Sequence, residues 1–121
     1  MKVKRNLIVI GHPNKKSFCY NGIKKTIEET LRDNGEEVYI IDLYGDKFSP
    51  SRWYRNEKTV KSYQDLITLC NRIYFISPVW WFRTTSLMEG FFDQVFAPGF
   101  AYRFKQITKF YGMPDPLLGD K

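Results

Sequence analysis

The chain has 121 residues, enough for one compact domain that buries roughly two-thirds of the surface its unfolded form exposes. Hydrophobic residues make up 43% and aromatic residues 17%, which excludes a disordered chain and leaves more rings than a small core uses. The formal charge is +6, but the basic residues run from Lys2 to Lys121 and form only the dense pairs Lys4/Arg5, Lys15/Lys16 and Lys24/Lys25, so they bias the protein toward anions without making a nucleic-acid-binding stripe.

The first apolar run, Leu7 to Ile10, is too short for a signal peptide or a membrane span, and no later segment is longer. It reads as a central strand covered on both faces, stopping at Gly11. After the polar loop GHPNKKS, residues from Phe18 to Asn34 carry small or apolar side chains three and four apart at Cys19, Gly22, Ile23, Thr26, Ile27, Thr30 and Leu31, with charges opposite. This is a helix that Ser17 can cap and Gly35 can stop. Glu37 to Leu43 is a second strand, and a strand, helix and strand in so short a span imply a right-handed crossover with parallel strands. A loop through Ser49-Pro50-Ser51 leads to a second helix over Glu57 to Cys70, and Arg72 to Ile76 is the third strand. A third helix spans Thr84 to Phe96, ended by Pro98-Gly99. Residues 103–121 have no strong period, and Pro114 and Pro116 mark them as a loop-rich tail. The expectation is one α/β domain over 1–121, doubly wound around about three parallel strands in the order 2-1-3.

Cys19 and Cys70 match no metal spacing and fall on apolar helix faces, as reduced core residues of a cytoplasmic protein do. In open parallel sheets the ligand crevice lies at the carboxyl ends of the strands, where strand order reverses. For the order 2-1-3 that point lies between strands one and three, whose loops are GHPNKKSF and SPVWWFRTT. The first runs into a helix N-terminus and adds Ser17, Lys15 and Lys16, a phosphate cradle by one reading and a capped structural turn by the other. His12, the sole histidine, either hydrogen-bonds a phosphate or closes the turn. In the second loop three large rings follow one another at Trp80, Trp81 and Phe82, and neighbouring side chains of an extended chain cannot all enter one core. They either pack a planar ligand or plug the space between helix and sheet.

Four blocks, LIVIGHPNKKSFCYNGI, EVYIIDLYGDKFSPS, YFISPVWWF and LMEGFFDQVFAPGFAY, resemble the flavodoxin-like NAD(P)H:quinone oxidoreductases in order and nearly in spacing. The resemblance implies a flavin, FMN or FAD, reduced by NAD(P)H and passing two electrons to a quinone-like acceptor. It assigns the phosphate side to His12, Ser17, Phe18 and Cys19, and the ring side to Pro78, Val79, Trp80, Trp81 and Phe82. Because the flavin carries the redox chemistry, no catalytic side chain and no metal are expected in this span. The GFAY block implies a homodimer in which Tyr102 and Phe104 line the partner's substrate pocket. Where the family has P-A-x-L-K-G, this chain has Thr85-Ser86-Leu87-Met88-Glu89-Gly90, and the arginine of D-R-V is Gln94. Family members continue past the LLGDK segment into further strands and a flavin-contacting loop, so this chain reads as a C-terminally shortened relative. The alternative is a noncatalytic interaction or dimerisation domain that uses its open strand edge.

Overall fold

The computed structural model describes residues 2–119. Strands β1 (Arg5–Ile10), β2 (Glu37–Asp42) and β3 (Arg72–Ile76) form a parallel sheet in the order β2-β1-β3, as expected from the sequence. Ile8 sits opposite Ile40 on one side and Tyr74 on the other, so β1 is hydrogen-bonded along both edges. Its aliphatic residues alternate between two cores. Leu7 and Val9 join Val60, Tyr63 and Ile67 of helix α2 (Glu57–Leu69) and Leu87, Met88, Phe91 and Val95 of α3 (Ser86–Val95). Ile8 and Ile10 join Cys19, Tyr20 and Leu31, on the side of α1 (Lys25–Asp33). Each fully buried aliphatic side chain contributes roughly 1.5–3 kcal/mol, and β1 supplies four of them with zero exposure. Both cysteines are buried and neither joins a disulfide.

The first helix begins differently from its expected regular form. Cys19–Lys24 is a π-helical turn, in which the Lys25 N–H reaches back to the Tyr20 carbonyl, before regular α1 begins. Gly22 fits that widened turn because the Phe18 ring lies over it; an added Cβ would fall 2.3 Å from that ring. Such turns frequently accompany functional sites. On the other face, Asn56 caps α2 through Lys58 and Thr59 N–H bonds, and Gln94 donates to the Ser49 carbonyl at 2.8 Å, tying the loop after β2 to α3.

The loop-rich tail expected over 103–121 is corrected by the structure: β4 (Tyr102–Thr108) and β5 (Tyr111–Pro116) form an antiparallel hairpin. Pro114 and Pro116 are accommodated because β5 pairs only with β4, leaving an edge where no N–H is needed. Arg103 and Asp115 stand opposite each other and form a 2.9 Å ion pair across the ladder. Among the described residues, no helix is long and apolar enough to cross a membrane.

The buried Tyr63 hydroxyl donates to Asp46 at 2.8 Å, and its pKa is raised by burial, then by that bond and by the carboxylate's charge. A folded pKa above the unfolded one means stability that is complete below about pH 10 and is lost as pH rises beyond it. Tyr63→Phe should therefore flatten the alkaline fall in Tm, measured by thermal melts between pH 8 and 11. An unchanged slope would refute this role.

Candidate functional site

The two loops singled out in the sequence leave β1 and β3 side by side at the carboxyl end of the sheet. The first is held down by its own polar groups. His12 Nδ1 accepts from the Asn14 N–H at 2.9 Å, Asn14 Oδ1 accepts from the Lys16 N–H, and the Asn14 carbonyl accepts from the Ser17 N–H. His12 therefore closes the turn through one ring nitrogen and keeps Nε2 for another partner. Ser17 caps as expected, with its hydroxyl 3.5 Å from the Tyr20 N–H. Lys15 and Lys16 are exposed, Phe18 is 75% exposed and Cys19 is buried. Burial raises the Cys19 thiol pKa, partly offset by a backbone hydrogen bond, so the thiol stays protonated near neutrality and acts as an apolar neighbour.

The second loop is a strained turn. Trp80 and Arg83 exchange N–H···O bonds of 2.9 and 3.2 Å, and Trp81 and Phe82 between them have φ of 52° and 61°. Two central residues in the left-handed region make the type I′ pattern, which favours Asn and Gly. Holding bulky side chains there costs about 1 kcal/mol or more per residue. The turn drives both rings outward: Trp81 is 89% and Phe82 98% exposed, which overturns the plug reading for these two. Trp80 turns back across the crevice, its ring 5.7 Å from that of His12 in an edge arrangement. Pro78 is half-buried and Val79 exposed on the approach from β3.

A cavity of about 390 Å³ opens beside this turn, against Trp80, Trp81, Arg83, Thr85 and Glu89. Glu89 is held there by the Thr84 hydroxyl at 2.6 Å. A larger hollow of about 570 Å³ lies at the opposite, N-terminal end of the sheet, among Lys2 to Arg5 and Arg72. It is away from the strand ends at which parallel sheets place ligands. The His12 and Trp80 rings are where the two loops meet; Ser17 and the exposed Phe18 follow on the first loop, Cys19 is buried in the α1-side core, and the cavity beside the turn is lined by Pro50, the second loop and α3. Tyr102 and Phe104 are elsewhere, on β4, with ring centroids 5.5 Å apart; among the described residues neither bonds to either loop. Sequence reasoning missed the left-handed turn, which has no Gly or Asn to announce it. It also missed Thr85, whose hydroxyl bonds the Gly11 carbonyl at 3.0 Å.

The sequence profile of the flavodoxin-like fold family matches residues 4–121. The chain belongs to the flavodoxin-like fold family. Within that family it is related to the NAD(P)H:quinone oxidoreductases. It is 27% identical over 107 residues to an uncharacterized NAD(P)H oxidoreductase of Haemophilus influenzae, covering 81% of this chain and 53% of that protein. It is 27% identical over 130 residues to the NAD(P)H dehydrogenase [quinone] 1 of Rattus norvegicus, covering 86% and 47% respectively. A solved Streptococcus mutans structure superposes with a TM-score of 0.68 at 32% identity, over 84% of this chain and 57% of that one. An NAD(P)H:quinone oxidoreductase from Methanothermobacter marburgensis shares the fold, with a TM-score of 0.75 at 24% identity, over 84% and 58%. The chain spans about half the length of the curated relatives it matches.

The left-handed pair gives a stability test. Replacing Trp81 by Asn and Phe82 by Gly together preserves the turn and removes its strain. The double variant should gain about 1–2 kcal/mol, read as a Tm higher by about 5 °C or more. A lower Tm would show that the rings themselves hold the loop.

Proposed function

We propose that this flavodoxin-like chain binds a flavin, FMN or FAD, between the two loops, and serves NAD(P)H-dependent reduction of a quinone-like acceptor. The observation that carries this reading is the meeting of the two loops at the carboxyl ends of β1 and β3, where the His12 and Trp80 rings touch. On one side stand lysines, the Ser17 hydroxyl and the start of a helix, donors suited to phosphate. On the other stand outward-facing planar rings and a turn backbone, suited to a ring with a polar edge. This donor set fits a flavin mononucleotide unit. The names of the relatives, which are oxidoreductases acting with NAD(P)H or on quinones, support the same reading.

In this proposal a bound flavin supplies the two-electron hydride chemistry. The residues of the chain bind and orient it. Lys15, Lys16, Ser17 and the amides around Phe18 and Cys19 hold the phosphate end. Pro78 to Phe82 fix the ring's plane and exclude water from one side, with the His12 Nε2–H available as a donor at the junction because Nδ1 already accepts from Asn14. The chain acts as a homodimer, in which Tyr102 and Phe104 of one hairpin complete the acceptor pocket of its partner. The open edge of β3 favours a second reading, a noncatalytic domain that recruits a partner strand. That edge is flanked by Ile23 and Ile27, and Phe75 is 43% exposed there.

Absorption spectra of the purified protein with FMN or FAD decide between them. The flavin bands should shift on stoichiometric uptake, and NAD(P)H should then be oxidised when menadione is added. Protein that leaves the flavin spectrum unchanged would overturn the enzyme reading and leave the edge-docking one.

A further inference from the structure

Residue 85 stands where the resembled family begins its third helix with proline, a residue that has neither a hydroxyl nor an N–H. Here it is a threonine, only 1% exposed, at the N-cap of α3. Thr is a favoured N-cap because its hydroxyl satisfies a free first-turn N–H. Thr85 makes no such bond. Its hydroxyl donates instead to the Gly11 carbonyl, 74 residues earlier in the chain and at the head of the other loop. The approach is close: a Cβ on Gly11 would lie 3.1 Å from that hydroxyl and 3.3 Å from the Met88 methyl, so any larger residue at position 11 would push these neighbours back by a few tenths of an ångström.

The bond is one of three grips along the same segment. The Gly11 N–H donates to the Ile76 carbonyl at 2.9 Å, where β3 ends. His12 meets the Trp80 ring in the middle of the second loop, and Thr85 closes the far end. Two adjacent residues of the first loop therefore hold the second at its start, centre and finish. Between the last two grips lies the turn with two left-handed aromatic residues, a conformation that persists only where its surroundings fix it.

We propose that Thr85 is a positioning residue, forfeiting its helix cap to set the spacing and rigidity of both walls of the crevice. The inference rests on the crevice being the flavin site, but the rigidity it assigns to the loops does not require a ligand. Thr85→Val keeps the shape and deletes the hydroxyl; Thr85→Ser restores the hydroxyl. Val60→Ala, which opens a cavity at a buried position of α2 outside both loops, serves as a control for general destabilisation.

Hydrogen–deuterium exchange of the ligand-free protein should rise together in the peptides covering residues 11–18 and 79–84 of Thr85→Val. It should return to the parent level in Thr85→Ser and not rise in Val60→Ala. FMN affinity should fall about tenfold in Thr85→Val and recover to within about threefold in Thr85→Ser, as expected for a lost buried hydrogen bond. Unchanged loop exchange in Thr85→Val, or an equal rise in Val60→Ala, would overturn the proposal. If the parent protein takes up no flavin, the functional reading fails, and the exchange result alone then upholds or overturns the role of Thr85.

Discussion

Everything at the site depends on β1 being enclosed on all four sides. Its two edges are occupied by β2 and β3, and its two faces by the two apolar cores. A strand so confined cannot slip by one residue without exchanging every side chain between cores. The end of β1 is therefore a fixed point, and Gly11 and His12 inherit that rigidity. A loop that would otherwise be free becomes the reference against which the β3 loop is positioned. The same confinement explains why a polar, glycine-led segment can follow directly on four fully buried aliphatic residues.

Strand and helix order was legible because the deciding signals are local. The uninterrupted Leu7 to Ile10 run, the three-and-four spacing before Gly35 and the Arg72–Ile76 run each encode burial directly. What escaped the sequence depends on distant pairs or on backbone states contrary to residue preference. Pro114 and Pro116 are loop signals only when both edges of a strand must be paired, and β5 needs one. Trp81 and Phe82 carry no preference for the left-handed region, so nothing local announces their turn. Thr85 carried no signal of its role because its partner, the Gly11 carbonyl, lies in the first loop. The two neighbouring loops of the candidate site were legible, and the bonds that brace them against each other were not.

Polar bonding divides the molecule along similar lines. Ion pairs such as Lys61–Asp65 and Lys25–Glu29 are exposed helix pairs, each worth a few tenths of a kcal/mol. The bonds that set tertiary geometry are buried or half-buried: Gln94 to Ser49, Tyr63 to Asp46 and Thr85 to Gly11. Each joins a helix to a loop at the carboxyl end of a strand. The cores thus hold the layers together, while a few directional bonds determine how the loops stand on them.

The open edge of β3 has a colloidal consequence. Its unpaired backbone and half-exposed Phe75 form an adhesive strip, but every molecule also carries a formal charge of +6. At low ionic strength like charge keeps two such strips apart. Near 0.15 M salt the repulsion reaches only about 8 Å, less than the span of the domain, and contact between edges is no longer opposed at a distance. The basic residues that form no binding stripe thereby oppose, in a salt-sensitive way, contact between the outer edges of the sheet.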